Sequence, residues 1–378
     1  MRIAIFGIKS MPAFAGADRV AERLAEALPE YEYVIYVLRD ALVPASAPNR
    51  RYVRVPALPG KHLRAFSYFL LSSLHFALRG KADVAHVHNS DFGLFVPILK
   101  LRRVPVIGTF HGTHLGPAER EKWGRGARVF FRYSERTFVK CCDELTSVAP
   151  LPPLLDREIR HIPNGADPWE DPEPDGELPM KMKRGEYVLF ACGRLDRTKG
   201  LHHLLTAYRG LQDAPPLLVV GDFSHDPRYS AEIQEQAMSD PRVLLHRSLL
   251  GRDELFRLVG GARLFVFPSE FEAMSMMLLE AIACGAVVVC SDIPENVATV
   301  GEDYPLLFPS RDPDQLREVL GQAVGGSAAD VAGAVLDRAR ATFRWDAIAR
   351  SYAAAYRDAR NRISAKRSAT RSMSNFWR

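Results

Sequence analysis

Short, nearly unbroken apolar runs alternate with amphipathic helical stretches along this chain, and the alternation occurs twice. In the first half the runs are Arg2–Phe6, Tyr33–Leu38, Val84–His88, Val106–Phe110 and Glu144–Val148. In the second half they are Tyr187–Cys192, Leu217–Gly221, Val243–His246, Leu264–Phe267 and Val287–Cys290. Between them, Ala17–Leu28 sets Val20, Leu24, Ala27 and Leu28 at helical spacing, and Leu201–Arg209, Arg252–Val259, Met276–Ala283 and Pro313–Ala323 read as further helices. Strands without a polar face have to be covered on both sides, so the pattern predicts an α/β fold of parallel sheets. Residues 163–179, PNGADPWEDPEPDGELP, lack periodicity and read as a linker. The expected division is therefore 1–165, 166–345, a C-terminal helix at 346–362 crossing back to the first domain, and a basic tail at 363–378. The helical pattern begins at Trp345; the tail looks disordered in isolation, its Phe376 and Trp377 included. Two such domains imply a cleft, with ligands beyond the carboxyl ends of the strands.

Composition narrows the classes. At 378 residues, 47% hydrophobic and 25% charged, the chain suits two globular domains and not a disordered polymer. It has no run of eighteen uninterrupted apolar residues, and Leu63–Leu78, broken by Arg64 and His75, is too short to span a bilayer. MRIAIFGIKSMP reads as a first strand, not a signal peptide. The five cysteines show no zinc spacing, which favours reduced core thiols and a cytoplasmic protein. The net charge of +5 is uneven: residues 1–160 hold about 24 Lys and Arg against about 15 Asp and Glu. A basic half suits an anionic membrane surface or an anionic acceptor. No helix-turn-helix, zinc finger or RNA-binding aromatic motif accompanies it, so nucleic acid is not expected.

Two segments of the second half carry the chemistry. In GRLDRTKG, residues 193–200, Arg194 and Lys199 follow an apolar strand and precede a helix, where cations and helix amides suit a diphosphate. In FEAMSMMLLE, Glu272 stands in the strand–helix loop, while Glu280 lies eight residues on within an otherwise apolar helix. A carboxylate so placed needs partners, and ligand hydroxyls supply them. A ligand with both a diphosphate and hydroxyls is a nucleotide sugar. As isolated features, the same residues read as surface cations, a helix-capping carboxylate and an internal hydrogen bond. In the first half, Gly16 between small neighbours suits a phosphate near a helix start, although GxGxxG is absent. His111 follows a strand in GTFHGTH, with His86, His88 and His114 as rivals; no carboxylate or cysteine completes a metal set, and no metal is expected.

Together, GRLDRTKG, the E-x7-E segment at 272–280, PNGAD at 163–167, Gly221-Asp222 and TFHG at 109–112 resemble the retaining nucleotide-sugar glycosyltransferases of family 4. The resemblance runs through nearly the whole chain in order. It implies the GT-B fold, two Rossmann-like doubly wound domains facing a cleft, and metal-independent transfer without a cofactor. It also implies that Arg194 and Lys199 bind the donor diphosphate, Glu280 the ribose and Glu272 the transferred sugar. Backbone amides at Ser275, Met276 and Met277 would reach the distal phosphate, with Gly16 also at the phosphates and His111 beside the sugar. Bacterial members of this kind build cell-surface polysaccharides, which implies a hydroxyl acceptor on a lipid-linked or polysaccharide intermediate, met at the inner face of the plasma membrane. The chain departs from the family at Ala15, at Ala273-Met274-Ser275 and at Ala298, where a glutamate is common. An inverting transferase or epimerase with His111 as base, and a non-catalytic nucleotide-sugar-binding subunit, are the alternative readings.

Overall fold

The computed structural model describes residues 1–8, 16–43, 47–112, 124–326 and 329–376. The chain divides into two units, Met1–Asn164 with Trp345–Arg378, and Gly165–Arg344.

The first unit is built on seven strands: β1 (Arg2–Phe6), β2 (Glu32–Leu38), β3 (Arg50–Val55), β4 (Val84–His88), β5 (Val106–Phe110), β6 (Glu144–Ser147) and β7 (Arg160–His161). All pair in parallel, in the order β3-β2-β1-β4-β5-β6-β7. The second unit repeats the plan with β8 (Val188–Arg194), β9 (Leu217–Asp222), β10 (Val243–His246), β11 (Leu264–Phe267), β12 (Val288–Ser291) and β13 (Leu307–Phe308), ordered β10-β9-β8-β11-β12-β13. Both sheets thus have the doubly wound Rossmann order, turning direction at β1/β4 and at β8/β11. The central strands are buried throughout: Leu189, Phe190, Val219, Val266 and Val289 are at most 3% exposed. Each such side chain contributes about 1.5–3 kcal/mol by leaving water.

The helices Leu201–Arg209 and Met276–Ala283 fall where their apolar spacing places them. The other differences from the sequence reading are local. Strands β3 and β7 are not apolar runs: RRYVRV buries only Val55, and β7 is a two-residue extension of the sheet edge. β8 continues through Gly193 and Arg194 instead of ending at Cys192. The C-terminal helix runs Trp345–Phe376, so the segment read as a disordered tail is helical as far as the described residues go. That helix packs on Gly16–Ala27 and beside β4 and β5, burying Ile348, Tyr352, Tyr356 and Ala359.

Candidate functional site

In the second unit the sheet turns direction between β8 and β11, and the two loops leaving their carboxyl ends lie side by side. The backbone N–H of Glu270 donates to the carbonyl of Thr198 at 2.8 Å. Gly200 closes the first loop with φ +68°, and a Cβ there would stand 1.8 Å from the carbonyl oxygen of Pro268, so only glycine fits. Asp196 caps the short turn Arg197–Lys199 by accepting from the Thr198 N–H at 2.9 Å.

This apposition brings Lys199 Nζ to 2.6 Å from Glu272 Oε1, which also accepts from Ser269 Oγ at 3.0 Å. The side chains are 23% and 12% exposed. Burial works against the ammonium, but the Glu272 charge and hydrogen bond, with Asp196, outweigh it and raise the Lys199 pKa. Lys199 is therefore a fixed cation at neutral pH. Glu272 Oε2 takes no hydrogen bond from the described residues and stays available as an acceptor.

Arg194 sits on β8 itself, beyond a register shift after Ala191, opposite Asp222, and is exposed. Hydrogen bonds from Ser224, with Arg194 nearby, hold the Asp222 carboxyl below its usual range. Ser275 is the N-cap of Met276–Ala283, its Oγ accepting from the Leu278 N–H at 3.3 Å. The amides of Met276 and Met277, one step earlier in the first turn, have no intrahelical acceptor and are suited to an anion. Glu280 is 3% exposed on the same helix; together with burial, its charge raises the pKa of Cys284.

Two carboxylates were missed in the sequence, Glu270 and Glu295. Glu295, in the first turn of the helix Pro294–Val300, lies near Glu272; burial, and more weakly the Glu272 charge, raise its pKa. Ala298, where the family resemblance sought a glutamate, is exposed on that helix, three residues further on. The signal was present as Pro-Glu after β12.

In the first unit the turn between β1 and β4 is equally tight: a Cβ on Gly7, at φ +84°, would lie 1.9 Å from the His88 carbonyl oxygen. Beside it runs a column of histidines. His86 and His88 lie on β4, and His111 follows β5. His88 Nδ1 is 2.9 Å from His111 Nε2, with the rings stacked at 5.2 Å, and the His86 ring lies 4.1 Å from that of His88. His86 also bonds Thr109 Oγ1 at 2.7 Å and the Tyr356 hydroxyl at 2.8 Å. Burial pushes His111 and His86 down to about 3, and burial with the neighbouring rings lowers His88 as well, so all three are neutral imidazoles at pH 7. Gly16 is the first residue of the helix Gly16–Ala27, not a loop residue, and a Cβ there meets no atom of the described residues within 4 Å. Ala15 and His114 lie outside the described residues. A concavity of about 450 Å³ lined by Arg2, Glu32, Lys81 and Asp83 opens at the amino-terminal edge of this sheet, away from the candidate residues.

Residues 14–170 match the model of Glycosyltransferase Family 4, and residues 186–324 that of Glycosyl transferases group 1. Alpha-maltose-1-phosphate synthase of Mycolicibacterium smegmatis is 29% identical over 285 residues, covering 68% of this chain and 72% of that protein. An Escherichia coli UDP-Gal:alpha-D-GlcNAc-diphosphoundecaprenol alpha-1,3-galactosyltransferase is 26% identical over 337 residues, covering 80% and 83%. Among solved structures, sucrose-phosphate synthase from Thermosynechococcus elongatus superposes with a TM-score of 0.78 at 21% identity, covering 94% of this chain and 98% of that one. With a family match on each unit, and two doubly wound parallel sheets, the chain belongs to the family 4 glycosyltransferases of GT-B fold.

Proposed function

We propose that this glycosyltransferase moves a sugar, with retention of configuration, from a nucleoside diphosphate donor to a hydroxyl of a lipid-linked or polysaccharide intermediate. The observation that carries the reading is the Lys199–Glu272 pair at the turning point of the second sheet. Lys199 and the exposed Arg194 offset the charge that grows on the leaving diphosphate, and the Met276 and Met277 amides are further donors to it. This electrostatic role needs no divalent ion. Glu272 holds a sugar hydroxyl through Oε2, Glu280 the ribose, and Gly16 leaves room for a phosphate at its helix start. The departing phosphate oxygen takes the acceptor hydroxyl's proton as the new glycosidic bond forms on the face the diphosphate leaves.

The low pKa of His111 counts against the inverting reading in which His111 is the base, since an imidazole held near 3 is a weak proton acceptor at neutral pH. His111 serves instead as a neutral hydrogen-bonding group for the sugar. The E. coli relative's name gives a UDP-sugar donor and a diphosphoundecaprenol-linked acceptor, which supports the same substrate classes here.

An exposed apolar stripe supports contact with the inner face of the plasma membrane. Leu63, Leu71, Leu74 and Leu78 on the helix Lys61–Arg79 are 51%, 38%, 39% and 78% exposed. At about 100° per residue they fall within about 80° of one another. Arg64 and Arg79 flank them. No helix among the described residues is long and apolar enough to cross a membrane.

Release of nucleoside diphosphate, screened over UDP-, GDP-, ADP- and dTDP-sugars with a lipid diphosphate acceptor, tests the reading. Release from one donor, dependent on acceptor, is expected, and NMR of the product should show the donor's anomeric configuration. An inverted product contradicts retention.

A further inference from the structure

We propose that His202, His203 and Glu270 form a binding site for a transition-metal ion of the zinc class. They come from the same pair of apposed loops but include none of the residues assigned to the donor. Gly200 starts the helix Leu201–Arg209, whose first turn carries the two histidines, and Glu270 sits on the loop after β11, two residues before Glu272.

The spacing is that of a coordination shell. His203 Nε2 lies 3.2 Å and His202 Nε2 3.5 Å from the same oxygen, Glu270 Oε1. Two ligands at about 2.1 Å from a tetrahedral ion stand about 3.4 Å apart, so both separations match an edge of the tetrahedron. For a direct hydrogen bond, 3.5 Å is long. The three donor atoms lie within 4.8 Å of one another.

Outer partners hold two of the three ligands. The Tyr229 hydroxyl bonds His202 Nδ1 at 2.8 Å, which leaves Nε2 turned to the carboxylate, as ligating histidines require. Arg311 Nε grips Glu270 Oε2 at 2.8 Å, which fixes the carboxylate and leaves Oε1 to the imidazoles. The nearby Arg197 is itself paired with Glu232. The three side chains are 12–17% exposed, open enough for an ion to enter and for water to take the fourth position.

Two imidazoles and one carboxylate favour Zn²⁺, Co²⁺ or Ni²⁺ over Mg²⁺ or Ca²⁺. A bound ion would tie the start of the Leu201–Arg209 helix to the loop after β11, and so stiffen the two loops that carry Lys199 and Glu272. The site stands whatever the donor turns out to be.

The test titrates tag-free, metal-stripped protein with Co²⁺ by visible absorption and with Zn²⁺ by calorimetry. We expect one equivalent per chain, with the intense absorption of tetrahedral Co²⁺. His203→Ala and the near-isosteric Glu270→Gln, each checked for folding by circular dichroism, should weaken binding at least a hundredfold. Tyr229→Phe should weaken it about tenfold. No saturable binding by the parent chain, or equal affinity in His203→Ala and Glu270→Gln, overturns the site.

Discussion

Lys199 and Glu272 answer each other at 2.6 Å, and Ser269 and Asp196 support the pair from either side. Removing the ammonium does two separable things: it withdraws a phosphate contact and strips Glu272 of its counter-ion. Lys199→Ala should cost about 2 kcal/mol of stability in chemical denaturation and about a hundredfold in kcat. Adding Glu272→Gln should recover most of the stability and none of the activity; a double variant that regains activity contradicts the donor role of Lys199. The buried histidines make a pH prediction. His86 and His88 are fully buried and neutral, with His86 held to about 3, while in the unfolded chain each titrates near 6.5. The unfolded state then binds more protons below pH 6.5, so their contribution is complete above that pH and is lost as pH falls toward 3. Between pH 6 and 5, where most carboxylates remain ionised, unfolding free energy should drop by roughly 1 kcal/mol per pH unit for each of these histidines. A flat profile across that interval would show that they are not held neutral.

The site depends on two loops meeting, and Gly200 is where they meet. Gly200→Ala puts a methyl group against the Pro268 carbonyl in a left-handed backbone, so it should destabilise the second unit by about 2 kcal/mol or more, measured by thermal unfolding, and weaken donor binding as Lys199 moves off Glu272. A variant as stable and active as the parent would show that the apposition is not needed. Much of this was legible in the sequence. The helices Leu201–Arg209 and Met276–Ala283 and the loop position of Glu272 follow from apolar spacing, because their buried faces are written in consecutive residues. Strand β3 was not legible, since RRYVRV near a sheet edge is mostly solvated and its strand character comes from backbone pairing to β2. The helix beyond Arg362 was hidden because its sequence, rich in Arg, Ser and Ala, has helix propensity without an apolar stripe. Glu270, His202 and His203 escaped notice for another reason: their meeting is tertiary, produced by β8 and β11 being neighbours, and no local pattern encodes it.

At the scale of the whole chain, one strand order was used twice, and each unit has its own buried core. The polypeptide leaves the first unit near Asn164, builds the second, and returns at Trp345 with a helix that belongs to the first. Tyr352 and Tyr356 of that helix are buried, and Tyr356 bonds His86, so the end of the chain completes the histidine column. The chemistry assigned to the second unit rests on a bound diphosphate with hydroxyls beyond it. Calorimetric titration of the intact protein with UDP, GDP, ADP and dTDP tests that directly, because it requires no acceptor. The account predicts that at least one nucleoside diphosphate binds at one site per chain. It predicts that Lys199→Ala and Glu280→Ala, both shown to be folded, each weaken that binding at least tenfold. Failure of all four to bind, or undiminished binding in both variants, would contradict it.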